Sequence, residues 1–311
     1  MSTPIVIRMG GYSPATTAFS RALKLIGDRL TAAFGPDVDV RYVWNIMDFG
    51  YRAEDILWLV ESGILTLGYQ SSSYLTDRIL ELGLVDLPFL FADRAAARGA
   101  IDGALGEFLT RTVEAATNFR ILGYFENGFR HLSNRLREVR TPADLEGMRI
   151  RVLPSKIQAR TFELLGAVPL RWDLTEALAA IPAGTIDAQE NPLANTVTYG
   201  VHKFHPYHTL TSHFYVSRPI FLCRTVYDAW PRELQQTMRA AVSEAVALQR
   251  DLAIEEEHAA RQAIEREGCS IVEPTSAEHA AFAAAVQPLL DDARDIYGRN
   301  AWRLVEGLRP H

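Results

Sequence analysis

The stretch from Gly147 to Pro192 constrains the fold more tightly than any other. It opens with Gly147-Met-Arg-Ile-Arg151-Val, in which Met148, Ile150 and Val152 face one way and Arg149 and Arg151 the other, an alternation that predicts a strand. It closes with Asp187-Ala-Gln-Glu-Asn191-Pro192, a second short strand ended by a proline that cannot continue a ladder. Helical segments over 156–165 and 174–181 lie between them. An arginine therefore leaves one strand and an amide another, about one βαβ unit apart. A guanidinium fork matches a carboxylate bidentately, and an asparagine donates a further bond to the same oxygens. On pattern alone Arg151 also has a plainer reading, a solvated strand residue, because lone charges are mostly exposed.

The rest of the chain supplies the frame. Residues 5–9 read as a strand and Gly10-Gly-Tyr-Ser-Pro14 as a turn. Phe19, Leu23, Ile26, Leu30 and Phe34 form one stripe of a helix over 18–34 that Gly35-Pro36 ends. A strand over 38–46, a short helix over 56–62 and a strand over 64–69 complete a βαβαβ order, which predicts a parallel sheet covered by helices. Ligands on such sheets bind at the carboxyl ends of strands, which points to Gly11-Tyr12-Ser13 and to Tyr69-Gln70-Ser71-Ser72. Plain turn chemistry explains both loops equally well. Further on, residues 85–91 read as a buried segment, 94–116 as one helix, and 120–125 as a strand running into Gly128-Phe-Arg130, where the chain crosses to a second domain. Thr141 and Pro142 read as a helix start. Residues 197–204 are helical, and 210–217 and 219–223 are two strands. An uninterrupted helix over 231–267 ends at Gly268, followed by a strand over 269–272 and a helix over 277–294.

With 311 residues, the chain suits about two domains. A net charge of -6 without a concentrated basic run argues against a nucleic-acid partner. No run of 18 apolar residues is present, so nothing is expected to insert into a membrane. Cys223 and Cys269 fit no zinc or redox spacing; they are expected as two small buried residues, although an oxidising compartment allows a disulfide. His202, His205 and His208 recur every third residue, a spacing that suits zinc. Pro206 interrupts any helix there and no carboxylate or cysteine stands alongside, so a wet surface cluster is expected and no metal. Glu255-Glu-Glu-His258 reads as a solvated face with Glu257 and Arg261 paired at i,i+4. No nucleophile elbow, zinc-protease helix, phosphate loop or dinucleotide fingerprint occurs, and no cofactor is expected. Phe129, Trp172, Tyr12, Tyr69 and Trp44 are candidate pocket walls, with core packing as the alternative for each.

Taken together, Gly147-Met-Arg-Ile-Arg-Val, Leu164-Leu-Gly-Ala-Val-Pro169, Thr175-Glu-Ala-Leu-Ala-Ala and Gly184-Thr-Ile-Asp-Ala-Gln-Glu-Asn-Pro192 resemble the DctP-type solute-binding proteins of TRAP transporters in order and spacing, and weaker similarity extends over nearly the whole chain. The resemblance implies a two-lobe α/β periplasmic-binding-protein architecture with a hinge cleft and a long helix spanning both lobes. Lobe I is expected over 1–127 and 216–252, lobe II over 128–215 and 253–297, and a C-terminal tail over 298–311. It also implies that Arg151 grips a ligand carboxylate, that Asn191 assists, and that Arg130, in Gly128-Phe-Arg-His-Leu-Ser-Asn134, contacts the ligand. Arg130 stands one residue further from Arg151 than in relatives. Trp172, Leu174, Tyr12, Ser13, Tyr69 and Gln70 are expected to complete the pocket. Leu174 replaces a phenylalanine common in relatives, and Thr211-Ser212-His213 stands where they often show Thr-Asn-His.

The expected function is that of an extracytoplasmic receptor. It would close around a small organic carboxylate and deliver it to the membrane permease subunits of a TRAP transporter, with no catalysis. The residues before Ile5 do not read as an export leader; the resemblance implies one in the precursor. The aromatic candidates tilt the ligand toward an aromatic or apolar monocarboxylate. An enzyme acting on a small organic acid and a ligand-sensing module of a receptor or regulator are the alternatives, since all three share a carboxylate grip.

Overall fold

The computed structural model describes residues 3–308, so residues 1, 2 and 309–311 of the expected first lobe and tail lie outside the described residues. The chain divides into two compact units of mixed α/β structure. Unit 1 comprises residues 1–71, 110–126 and 217–255; unit 2 comprises 72–109, 127–216 and 256–311. Nine strands are described: β1 (Ile5–Gly10), β2 (Val38–Val43), β3 (Leu67–Tyr69), β4 (Phe119–Asn134), β5 (Arg149–Val152), β6 (Val168–Arg171), β7 (Ala188–Asn191), β8 (Tyr207–Cys223) and β9 (Ser270–Val272).

In unit 1, β1 pairs in parallel with both β2 and β3, as the βαβαβ order predicts, and β3 pairs antiparallel with the end of β8. The helix Ala18–Phe34 buries Phe19, Leu23, Ile26 and Leu30 of the stripe read from the sequence, with Ala22 beside them, while Phe34 at its end is only half-buried; the opposite face is exposed. Its first turn is capped by Thr17, whose hydroxyl accepts the Ser20 N–H at 3.4 Å. Ile7 and Met9 of β1 and Leu67 of β3 are fully buried. Gly11 follows β1 because a side chain there would meet the Trp44 carbonyl oxygen at 2.8 Å and the Tyr69 hydroxyl at 2.9 Å. Only glycine lets that hydroxyl settle over the backbone.

Unit 2 is built on β4, β7, β5 and β6. The last residues of β4 run antiparallel to β7, which pairs in parallel with β5, and β5 in parallel with β6. The helices Lys156–Leu164 and Leu174–Ala180 make the crossovers, capped by Ser155 and by an Asp173–Glu176 capping box. The start of β8 pairs in parallel with β9. The helix Arg232–Arg266 runs 35 residues, roughly 50 Å, and contributes to both units before Gly268, at φ 75°, ends it.

Several boundaries differ from expectation. The segment 94–116 is two helices, Arg94–Asp102 and Ala104–Ala116, because Gly103 takes a non-helical conformation. Likewise 277–294 divides into Ser276–Ala285 and Gln287–Trp302, with Pro288 in the first turn of the second. β4 continues through Gly128 at φ 93°, and β8 continues through Pro219, so each is one long strand. The Thr141 cap opens only a 3-10 turn, Pro142–Leu145. Cys223 and Cys269 are free thiols; Cys223 is buried as expected, whereas Cys269 is only half-buried. No helix among the described residues is long and apolar enough to cross a membrane.

Candidate functional site

The nine residues singled out from the sequence divide between the units. Arg130, Arg151, Trp172, Leu174 and Asn191 belong to unit 2; Tyr12, Ser13, Tyr69 and Gln70 belong to unit 1.

Strand register sorts the unit 2 residues. Arg151 aligns with Gln189, and Gln189 and Asn191 align with Ser133 and His131, so these side chains share one face of the sheet. Alternation puts Arg130 with Glu190 on the other face. The two arginines of β5 differ sharply. Arg149 is committed to Asp187, donating from Nε at 3.0 Å and Nη2 at 3.1 Å. That ion pair, joined by Arg135, holds the Asp187 carboxyl well below the usual carboxylate range. Arg151, two residues on, is 1 % exposed rather than solvated. Its Nε donates to the Trp172 carbonyl oxygen at 2.9 Å and its Nη2 to the Tyr74 hydroxyl at 3.1 Å. Both acceptors are neutral, and no carboxylate of the described residues forms an ion pair with it. Two of the five guanidinium N–H groups are thus used and three are left for another acceptor.

Tyr74 holds this end of the site and had no role in the sequence reading. Its hydroxyl takes the Arg151 donor and also accepts the Leu174 N–H at 3.2 Å, tying the 3-10 turn Ser72–Leu75 to the start of the helix Leu174–Ala180. Burial, with the Asp173 charge adding to it, pushes the Tyr74 phenol up to about 12 despite Arg151, so it stays a neutral donor and acceptor. Trp172 packs beside the buried cluster Ile181, Ile186 and Val201 and offers Arg151 its backbone rather than its ring. Asn191 donates to the Gln189 amide oxygen at 2.9 Å, and Gln189 donates in turn to Ser133 and Thr196.

Arg130 is as buried as Arg151 but already partnered. It grips Glu190 through Nε, while Nη2 reaches the Glu190 side chain at 2.7 Å and its carbonyl oxygen at 2.6 Å. His213 places Nε2 3.5 Å from the same carboxylate, and its Nδ1 lies 2.6 Å from the Thr211 hydroxyl. Burial alone would raise the Glu190 carboxyl; the Arg130 charge and His213 outweigh it and bring it below its ordinary value. Glu190 lies inside the quoted Gln-Glu-Asn-Pro run, and its alternation against Gln189 and Asn191 was the signal for a separate role.

In unit 1, Ser13 and Tyr69 share a 2.8 Å hydroxyl contact, and Tyr69 stacks on Phe19 with centroids 5.0 Å apart. Gln70 is satisfied by backbone: its amide nitrogen donates to Ala53 at 2.8 Å and its oxygen accepts from Ser71 at 2.9 Å. Of the other aromatic candidates, Trp44 stacks on Tyr42. Phe129 lines a different cavity of unit 2, about 640 Å³, with Phe89, Phe91, Ser212 and His279.

The histidine reading needs correction. His202, His205 and His208 are buried, not a wet surface cluster. His208 is on β8, covered where that strand pairs with β9, and His205 packs against β4 through a 3.0 Å contact with Ser133. No group of three or more histidine, cysteine, aspartate or glutamate side chains among the described residues is placed to hold a metal ion. The expected Glu257–Arg261 pair is also replaced. Glu257 accepts the Ala194 N–H at 3.3 Å, whereas Arg261 pairs with Glu265 and Glu273.

The sequence model described as bacterial extracellular solute-binding protein, family 7, matches residues 50–295. A solute-binding protein of Verminephrobacter eiseniae is 30% identical over 243 residues, 78% of this chain and 71% of that protein. The 2,3-diketo-L-gulonate-binding periplasmic protein of Escherichia coli is 29% identical over 246 residues, 79% of this chain and 73% of that protein. In fold, the chain matches the sugar acid binding protein of Advenella mimigardefordensis in complex with galactonate with a TM-score of 0.92 at 24% identity, covering 99% of this chain and 97% of that one. A TRAP periplasmic solute binding protein of Sulfurospirillum deleyianum with bound succinate gives 0.92 at 23% identity over 99% and 100% of the two chains.

Proposed function

Because this chain belongs to the bacterial extracellular solute-binding proteins of family 7, we propose that it is the periplasmic receptor of a TRAP transporter, that it takes a small organic carboxylate at Arg151, and that it hands the acid to the membrane permease. The observation that carries this reading is Arg151 itself, buried yet bonded only to neutral oxygens. A buried guanidinium without a counter-charge is costly, and a ligand carboxylate relieves that cost while meeting the remaining donors in a bidentate fork. Tyr74 and the Trp172 carbonyl hold the fork in place, and Asn191 shares its sheet face. Arg130, neutralised by Glu190, acts as a braced donor rather than a second free cation. The acids named for relatives, 2,3-diketo-L-gulonate, galactonate and succinate, agree in carrying an acid group.

A thermal-shift screen of organic acids on wild type and Arg151→Ala tests the proposal. An acid at a hundred times its dissociation constant adds about 2.7 kcal/mol, which for a chain of 311 residues raises the melting temperature by about 4 °C. The expected result is a shift of that size for one class of acid in wild type and none in Arg151→Ala. Equal responses would overturn the assignment of Arg151, and turnover of the bound acid would favour an enzyme.

A further inference from the structure

The cavity of about 640 Å³ that Phe129 lines belongs to unit 2 alone. Its walls come from three parts of that unit: Phe89 and Phe91, before the helix Arg94–Asp102; Phe129 of β4 with Ser212 of β8; and Ser276 and His279 of the helix Ser276–Ala285. Arg151 does not line it. Edge contacts fix the phenylalanines. Phe91 and Phe129 meet Tyr215 with centroids 5.7 and 5.3 Å apart, and Phe89 meets the His279 ring at 5.0 Å.

Two of these residues hold a strained backbone. Among the described residues, Phe89 at φ 53° and Ser212 at φ 49° are the non-glycine positions in the left-handed region, and both line the cavity. A bulky residue rarely adopts that conformation, and asparagine or glycine suits it better than serine. Hydrogen bonds keep both in place: the Phe89 N–H donates to the His213 carbonyl oxygen at 2.8 Å, and the Ser212 N–H to His131 Nδ1 at 3.3 Å. Strain of this kind gathers at ligand sites, where the surroundings impose a shape that the backbone alone would not take.

The lining narrows what the cavity can hold. It contains no lysine, arginine, aspartate or glutamate, so it offers a carboxylate no counter-charge. Three phenyl rings favour a planar aromatic body. The Ser212 and Ser276 hydroxyls and the His279 imidazole have no hydrogen-bond partner among the described residues, which leaves them for one or two polar atoms of a ligand. The volume is that of a pocket for a small organic molecule.

We propose that this cavity is a second ligand site, separate from Arg151, and that it takes a small neutral aromatic molecule bearing a hydroxyl or amide. Phe89, Phe91 and Phe129 hold the ring, and Ser212 and His279 bond its polar group. The site does not depend on the receptor reading: one takes an anion through a guanidinium, the other an uncharged ring.

The test is an amide NMR titration of the full chain with three probes: tryptophol, its carboxylate counterpart indoleacetate, and the non-aromatic cyclohexylethanol. Tryptophol should give saturable shifts at the Ser212, His279 and Ala283 amides of wild type, with an affinity at least about tenfold above that of cyclohexylethanol. Indoleacetate should leave those amides unmoved at the same concentrations. Ala283 also lines the cavity, from the outer helix, and Ala283→Leu fills space there with a good helix former. It should weaken tryptophol by at least about tenfold. Ser212→Asn should do the same with a residue that accepts the left-handed backbone. Either variant decides the matter if the other does not fold. Arg151→Ala should bind tryptophol within about twofold of wild type. The inference is overturned if tryptophol moves none of the three amides, if cyclohexylethanol binds equally well, if the folded filling variants bind as wild type does, or if Arg151→Ala abolishes binding. Tryptophol bound by a chain that takes no organic acid would uphold this site and overturn the receptor reading alone.

Discussion

Glu190→Ala is expected to lower the melting temperature of the ligand-free protein by about 5–8 °C. The substitution strips the carboxylate from Arg130, which is 1 % exposed and has spent its Nε and Nη2 on Glu190. Removing one partner of a buried ion pair costs about 3–5 kcal/mol, because the other charge is left in low dielectric. Spread over the unfolding entropy of 311 residues, that gives the predicted shift. His213 loses its carboxylate neighbour in the same step. The double variant Arg130→Met with Glu190→Leu removes both charges and should recover most of the loss. Melting curves of wild type, Arg130→Met, Glu190→Leu and the double variant yield the coupling energy directly. A Glu190→Ala protein as stable as wild type would show that the pair is hydrated and that Arg130 is free to act as a second grip.

Acidification should destabilise the protein at a pH where most carboxylates are still ionised. Burial pushes His131 and His205 down to about 3 and His208 to about 4, and lowers His213 as well. A group whose folded pKa is depressed contributes stability that is full above its unfolded value, about 6.5 for histidine, and is lost as pH falls toward the folded value. Below about 6.5 the unfolded chain therefore binds protons at these four sites that the folded chain refuses. Asp86, raised to about 6 by burial despite hydrogen bonds from Ser155, Ser73 and Gln158, and Glu257, also raised by burial, act in the opposite sense. His131, His205 and His208 against Asp86 leave a surplus of about two protons, or ~2.7 kcal/mol per pH unit between about 6 and 5, while His213 and Glu257 oppose one another. That corresponds to about 4 °C per pH unit. Melting curves at pH 6.5, 6.0, 5.5 and 5.0 measure the slope, and His208→Gln should reduce it by about one proton. A melting temperature flat across that interval would mean that the histidines are protonated or hydrated in the folded state.

The frame of this fold was legible because its signals are local. Alternation placed β5, the Gln-Glu-Asn-Pro run placed β7, and the absence of proline or glycine from Arg232 to Glu267 gave the 35-residue helix. The errors came from reading punctuation as an ending. Gly128 and Pro219 interrupt a pattern but not the long strands β4 and β8, whose neighbours hold them on either side. Gly103, by contrast, divides a helix that periodicity alone runs together.

Within the site, the sequence pointed to Arg151 by type, spacing and resemblance, but could not show that Arg149, two residues away, is consumed by Asp187. That distinction depends on register. Tyr74 escaped notice because the 3-10 turn Ser72–Leu75, not a periodic element, aims its hydroxyl at Arg151. The histidines were misplaced because spacing along the chain says nothing of what covers them. Arg218, a lone charge in the otherwise uncharged run Phe214-Tyr-Val-Ser-Arg218-Pro-Ile-Phe-Leu, falls between the two expected strands 210–217 and 219–223 and had no role in the sequence reading, whereas β8 runs through it.

The central claim is that Arg151 holds a carboxylate, and the most direct measurement is titration of the best-bound acid against its own amide. The two molecules differ only at the group that Arg151 is said to receive. Wild type should bind the acid at least about a hundredfold more tightly than the amide, in line with the 2–5 kcal/mol at stake in a buried charge pair. Arg151→Ala should bind both weakly and with nearly equal affinity. If Arg151→Ala still discriminates acid from amide as wild type does, another residue holds the carboxylate and the account of this site is wrong.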